Sequence, residues 1–344
     1  MIKHITFAVA LFCFCTQARA QNPPQYQLLK QTTIGGEVGW DFLNIDPQNR
    51  TLYISHATQV ETYNLDNDSL MAPILNTEGV HGIAIADREK HGFITCGKSN
   101  TVLEFGLVKR DTIQRIAVGT KPDAIMYDYA THHVFVMNAG SNNISVLDAK
   151  SGAVLATIAL DGNPESAVSD ERGHVFVNIE SSSEVVKINS GNNMVEATWK
   201  LAPGEGPTAL TMDRAANRLF SGCDNQKMMV LNAANGKITQ VIPIGKGVDA
   251  AVFDPFSKLA FSANGEGNVT IIQQAAGKYR VGQTLETKRG AKTIALDPHT
   301  HDIYLATADF GPTPPPTQEK PKPRPSIVPG TFSVLKYGQP VVEN

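Results

Sequence analysis

Seven aspartates, Asp46, Asp87, Asp128, Asp170, Asp213, Asp254 and Asp297, recur at spacings of 41, 41, 42, 43, 41 and 43 residues. Each follows a short apolar run and precedes a turn, after which a second apolar run begins. A period of this length marks one supersecondary unit, copied and stacked so that neighbours share a core. The third copy shows the unit most clearly. Asp123 to Tyr127, Val134 to Met137, Ile144 to Leu147 and Ala153 to Leu160 read as four strands. Ala130 to His133, Ser141-Asn142-Asn143 and Lys150-Ser151-Gly152 read as the turns between them. Short apolar runs bounded by Gly, Asn and Asp are a strand signature. No segment carries the 3.6-residue period of an amphipathic helix, so a helical solenoid is excluded. A parallel β-helix is excluded too, because it repeats at a shorter period.

Four strands in about 42 residues is the size of a propeller blade. The expected fold is therefore all-β, a seven-bladed β-propeller of four-stranded antiparallel blades. The seventh copy supplies only three strands, Thr293 to Leu296, Asp302 to Ala308 and Thr331 to Tyr337. The leftover segment Tyr26 to Ile34, followed by Gly35-Gly36, matches the pattern of a fourth strand. The N-terminal strand is thus expected to complete the last blade and close the ring. A closed ring leaves only short outer edges unpaired.

The string Val134-Phe135-Val136-Met137-Asn138, then Ile144-Ser145-Val146-Leu147-Asp148, Ser151-Gly152-Ala153-Val154 and Thr157-Ile158 resembles the YVTN-type β-propeller repeat. The other copies are more degenerate, as in Leu52-Tyr53-Ile54-Ser55-His56 and Phe93-Ile94-Thr95-Cys96. The resemblance covers about 300 residues and implies a member of the YncE-like periplasmic or secreted propellers. It implies a fold and a repeat type. It implies no reaction, since the matching residues are structural and related propellers include both lactonases and lyases.

The N-terminus agrees with a secreted or periplasmic location. Residues 1–20 read as a secretory signal: Lys3 and His4, an apolar run from Ile5 to Cys15, and Ala18-Arg19-Ala20 as the cleavage site. That run is too short to span a bilayer comfortably, so no integral membrane segment is expected after cleavage. Residues 21–344 form the single expected propeller domain. Cys96 and Cys223 fall on non-neighbouring copies and are expected to be unpaired, small core residues. The net charge of −3 becomes −5 once Lys3 and Arg19 are removed, and with two tryptophans in the chain this argues against nucleic acid as the partner.

Function is expected where the blades converge. Counting five residues back from each aspartate gives the starts of the inner strands: Asp41, Gly82, Asp123, Glu165, Thr208, Asp249 and Lys292, with Trp40 and His81 just before two of them. These positions line one mouth of the central channel, with Asn138 and other second-strand ends nearby. The candidate ligand-binding set is Trp40, Asp41, His81, Asp123, Asn138, Glu165, Asp249 and Lys292. Trp40 is either a stacking wall or an aromatic plug. Converging carboxylates suit a small polar or cationic ligand, or a polyol. The same charges can serve only to keep the pore solvated. They can also do general acid–base work, and Glu165, Asn138 and Asp249 offer oxygen ligands of the kind Ca²⁺ takes in a lactonase-like site. Otherwise no cofactor or metal is expected. His132-His133 and His299-Thr300-His301 sit in the turns after the aspartates and are read as structural, as are the aspartates themselves.

Residues 310–330 interrupt the last blade. Between Asp309 and Gly330 lie eight of the chain's 20 prolines, a composition that favours polyproline II and cannot join a sheet core. This loop is expected on the face of the charged mouth, as a lid, a docking strip or a mobile loop. The expected role is non-enzymatic: a binding scaffold that presents an acidic mouth and a Pro-rich loop to a ligand or a protein partner. The alternative is an enzyme of the lactonase or lyase class using the same mouth.

Overall fold

The computed structural model describes residues 25–36, 39–318, 321 and 323–340. The leader read from residues 1–20 lies outside them. Among the described residues there is no helix, and hence none long and apolar enough to cross a membrane. The strands form seven four-stranded antiparallel sheets. Blade 1 runs over Trp40–Ile74, blade 2 over Val80–Ala117, blade 3 over Pro122–Ala159 and blade 4 over Pro164–Lys200. Blade 5 covers Pro207–Pro243 and blade 6 Val248–Glu286. Blade 7 combines Ile294–Leu296, Ile303–Thr307 and Ser333–Gly338 with the N-terminal strand Gln27–Thr33, which pairs antiparallel to Ser333–Gly338. The seven blades and the N-terminal closure follow the sequence reading.

The turn after each inner strand explains the recurring aspartates. Asp46 accepts hydrogen bonds from the backbone N–H groups of Gln48 and Asn49, Asp254 from Phe256 and Ser257, and Asp297 from His299. The turn then closes through one residue of positive φ: Arg50 at 50°, His132 at 62°, Asn217 at 54°, Lys258 at 57° and His301 at 63°. The carboxylate satisfies N–H groups that the tight turn takes away from the ladder. Blade 2 departs by one residue. There Ala86 pairs with His91 as Asp46 pairs with Thr51, so Asp87 lies one position further into its turn, where it accepts from Gln48 of blade 1.

Between the blades, apolar faces interlock. Every second strand carries a buried aromatic near its start, third in six of them and second in Ile303–Thr307: Tyr53, Phe93, Phe135, Phe176, Phe220, Phe261 and Tyr304, all at most 1% exposed. Each is a wedge in an inter-blade core, as where Tyr53 meets Phe105 at 5.4 Å between ring centroids. A large flat side chain at a fixed height suits the splayed gap between twisted sheets. Cys96 and Cys223 are buried free thiols in blades 2 and 5.

The closing seam has polar locks as well. Arg50 of blade 1 grips Asp297 of blade 7 through two N–H···O bonds of 2.7 and 2.8 Å, and its Nε reaches Asp66 at 2.9 Å. Burial opposes charge on Asp297, but Arg50 and the turn donors hold its carboxyl below the usual range. Tyr26 clasps blade 6: its N–H donates to Gln283 at 2.9 Å, its C=O accepts from the same side chain at 2.8 Å, and its hydroxyl donates to the His301 carbonyl.

Candidate functional site

The mouth is built on β-bulges. In blade 1, Trp40 pairs with His56 and Leu43 with Ile54, leaving two residues, Asp41 and Phe42, opposite Ser55 alone. Comparable irregularities fall at His81 and Gly82, at Asp123 and Ala124, at Glu165 and Ser166, at Thr208, and at Asp249. A bulge bends the strand and re-aims its side chains. The N–H groups it displaces from the ladder are recovered by hydroxyls on the second strand: Asp41 N–H donates to Ser55 Oγ at 2.7 Å, and Gly82 N–H to Thr95 Oγ1 at 2.8 Å. Each mouth is then tied to its neighbour. Thr95 donates to the Asp123 carbonyl at 2.7 Å, Thr208 to the Val248 carbonyl at 2.7 Å, and Thr293 to the Asp41 carbonyl at 2.6 Å.

The charges alternate round the rim. Lys292 Nζ lies 2.6 Å from Asp249 and 4.0 Å from Asp41; His81 Nδ1 lies 2.7 Å from Asp41 and 3.7 Å from Asp123. The order Asp249, Lys292, Asp41, His81, Asp123 therefore runs acid, base, acid, base, acid across five blades. The sequence reading put His81 and Lys292 in an otherwise acidic mouth; the structure sets these two basic side chains between the acids. Glu165 follows on blade 4, with its carboxylate 3.5 Å from Asn163 Nδ2. Thr208 spends its hydroxyl on the backbone of blade 6.

Recession from solvent shapes the proton equilibria. Burial, reinforced by Asp41, pushes the Asp123 carboxyl up to about 6, although His81 pulls the other way. Burial, with Asp123 and Glu180 adding to it, pushes Glu165 up to about 8. Asp249 is raised by burial against the pull of Lys292. His81 is raised above its ordinary value, first by its hydrogen bond to Asp41. Burial works against the Lys292 ammonium, but Asp249 and Asp41 outweigh it and hold its proton more tightly than usual. The site thus combines a carboxyl pushed well above its ordinary range, a lysine ammonium, a histidine whose proton is held more tightly than usual, and further acids within one recess.

Two expected members are placed elsewhere. Trp40 packs between Phe332 and Phe310 at centroid distances of 5.5 and 6.1 Å, and its indole N–H donates to the Gly290 carbonyl. Asn138 is buried within blade 3, donating to Asn143 and Ser145. It does not join Glu165 and Asp249 as an oxygen-ligand set. The aromatic that crosses the bore is Phe42, which reaches the cores of blades 3–4 and of blades 6–7 from its place on blade 1. Among the described residues, Asp41, His81 and Asp123 bring potential ligand atoms within 4.8 Å of one another. They could take a divalent cation, but Lys292 already supplies positive charge to Asp41.

The Pro-rich insertion leaves blade 7 on a short paired stalk. Phe310 bridges Ile327, Gly311 N–H donates to the Ser326 carbonyl, and Val328 N–H to the Asp309 carbonyl. The stalk docks beside the mouth: Phe310 touches Trp40 and lies under the Arg289 guanidinium at 5.4 Å, while Lys288 pairs with Asp309. Three histidines of the opposite turns have structural partners. His174 meets Asp170, His301 meets Asp254, and His299 meets Arg50.

The fold and its rim define the chain as a seven-bladed β-propeller with a charged, recessed channel mouth. No protein-family model matches the sequence, and no curated protein matches it.

Proposed function

We propose that this propeller is a non-enzymatic binding scaffold of the YVTN-repeat, YncE-like kind, periplasmic or secreted, whose mouth takes a small polar ligand. The carrying observation is the rigid alternating arc from Asp249 to Asp123. Fixed donors and acceptors of both signs suit a ligand that presents a cationic group beside hydroxyls or an acid. The Pro-rich stalk beside the rim supports a second contribution, the capture of a protein partner. Support for the repeat type comes from Val134 to Met137 and Ile144 to Leu147, which lie within the second and third strands of blade 3. The test is calorimetric titration with a panel of amino sugars, polyamines and amino acids. The triple variant D123N/E165Q/D249N abolishes binding if the mouth is the site; unchanged affinity in a folded triple variant refutes it.

One observation favours a second reading, an enzyme of the lactonase or lyase class. Burial and neighbouring acids raise Glu165 to about 8 but Asp123 only to about 6, and such a divergence suits a general acid and a general base. Turnover of an aromatic lactone probe that is lost in E165Q would favour this reading over the scaffold. A Ca²⁺-dependent version requires bound metal and a melting temperature that falls on chelation; on the scaffold reading, chelation leaves melting unchanged.

A further inference from the structure

The face opposite the mouth carries a groove that the repeat alone does not make. In blade 5 the turn after the inner strand has Ala215 and Ala216 side by side at its tip, both exposed, and no other of these turns has two alanines together. Two methyl groups leave a low saddle between the turns that carry Arg172 and Phe256. Blade 6 raises one wall further. Its third and fourth strands, Asn268–Ala275 and Lys278–Glu286, have eight and nine residues where the other blades have six or seven. The extra rungs pair Gln274 with Tyr279 and Ala275 with Lys278, and Ala276 and Gly277 close the hairpin at φ 51° and 75°. Positive φ at both central residues matches the twist of the strands, so the hairpin stays paired to its tip. The result is a groove of about 740 Å³ between Arg172 on blade 4 and Lys258 and Gln274 on blade 6.

Met212 and Phe253, buried and half-buried, form the base of this groove, with Ala215, Ala216 and Pro255 along it. Its acids and bases are equal in number, three of each, but they are not equally available. Asp170 is buried and accepts from the N–H groups of Arg172 at 2.8 Å and His174 at 2.9 Å. Asp213 is buried too, and accepts from Ala216 N–H at 2.9 Å and the Tyr279 hydroxyl at 3.3 Å. Glu171 meets Arg214 at 3.1 Å. The side chains of Arg172 and Lys258 are exposed and make no hydrogen bond or ion pair among the described residues. Two uncommitted cations therefore stand on different blades, with apolar surface between them. Beside the groove, Phe256 is 77% exposed and rests flat on the His301 ring at 4.3 Å, so an aromatic face is held out to solvent in the same turn as Lys258.

We infer that this groove docks an acidic peptide segment of a partner protein, one with an apolar side chain set between carboxylates. The apolar side chain lies on the alanine saddle over Met212 and Phe253, and the carboxylates on either side of it meet Arg172 and Lys258. A ligand that answers both cations carries acid groups at two places along its length, with apolar matter between them. A basic segment would meet like charge at both walls, and a wholly polar one would gain nothing from the base. Apolar surface that continues outside the groove at Phe256 suits an extended segment better than an enclosed small molecule. This surface is independent of the charged mouth, which opens on the other face.

The experiment is calorimetric titration of the full chain, at low salt, with an acetylated and amidated pentapeptide that has one leucine between two pairs of aspartates. Saturable binding to one site is expected. The same peptide with glycine for leucine binds about 10- to 100-fold more weakly, the range for burying one leucine side chain. R172A/K258A alters two exposed side chains and weakens binding about 3- to 30-fold, as for two exposed ion pairs. A215W fills the saddle from an exposed turn tip and abolishes binding. D123N/E165Q/D249N leaves it intact, so failure of this surface and failure of the mouth are told apart. The inference is overturned by non-saturable binding, by equal affinity for the glycine peptide or for one with lysines in place of the aspartates, by affinity unchanged in R172A/K258A or in an A215W protein that melts cooperatively, or by loss of binding in the mouth variant. Should A215W not fold, R172A/K258A and the peptide comparisons decide.

Discussion

Glu165 offers the sharpest test of the mouth's electrostatics, through the substitution E165Q. In the folded chain its carboxyl rises from an ordinary 4.5 to about 8, first because it is buried and then because Asp123, Glu180, Asp249 and Asp41 surround it. Between those two values the folded state holds a proton that the unfolded chain has released. Stability therefore falls as pH rises through this window and levels off above it. At about 1.4 kcal/mol for each tenfold in proton affinity, the ceiling is about 5 kcal/mol. Glu165 is only partly buried, and solvent screening at a channel mouth reduces that to about 2–3 kcal/mol. Glutamine keeps the shape and the contact to Asn163 but cannot ionise. Urea denaturation of both proteins should give nearly equal stability at pH 5, with the variant more stable by about 2–3 kcal/mol at pH 9. A difference that is the same at both pH values, or a variant that is weaker at pH 9, refutes the account of the rim as a recess of mutually repelling acids.

Other expectations follow from the seam, the insertion and the thiols. R50A leaves Asp297 buried with only its turn donors, and should cost about 2–4 kcal/mol in urea denaturation, since hydrogen bonds to a buried charge are worth more than neutral ones. A cost below about 1 kcal/mol would remove this lock from the account of ring closure. Replacing residues 312–325 by a short Gly-Ser link should change stability by no more than about 0.5 kcal/mol, because the stalk ends at Phe310 and Ile327. A large loss in thermal melting would mean that the tip is part of the fold. Cys96 and Cys223 should react with a thiol reagent only on unfolding, as both are buried and the Cys223 thiol is pushed up to about 12. Rapid labelling of the native protein would contradict their burial.

The fold was legible because its signals are local and repeated. Turn aspartates, strand-sized apolar runs and a missing fourth strand each report on one stretch of chain, and the seven copies average out noise. The aromatic near the start of every second strand was equally available, six or seven residues after each aspartate from Tyr53 to Tyr304, yet it is hidden among ordinary apolar letters unless the copies are aligned. The mouth was legible only in outline. Counting back from Asp87 points to Gly82, whereas the structure presents His81, because blade 2 carries its aspartate one residue late. The bulges decide which neighbour faces the bore, and their trace in sequence is faint: a Ser or Thr, such as Ser55 or Thr95, opposite the bulge. Trp40 and Asn138 were misleading for the same reason. A side chain at a strand end can turn to the bore, to a neighbouring loop or into its own sheet, and only tertiary packing selects. Phe42 could not be assigned at all, since reaching across a bore is a property of the assembled ring.

The pairing of Gln27–Thr33 with Ser333–Gly338 bears on how such a molecule is made. Among the described strands, the first to leave the ribosome must wait for the last. Until then blade 7 lacks its outer strand, Leu28 and Leu29 have no sheet to lie on, and the circle stays a crescent with two raw ends. Joining segments so distant in sequence is entropically slow. A nascent chain halted before Thr331 should therefore be the species most in need of a chaperone, and the one most prone to stick to its own kind.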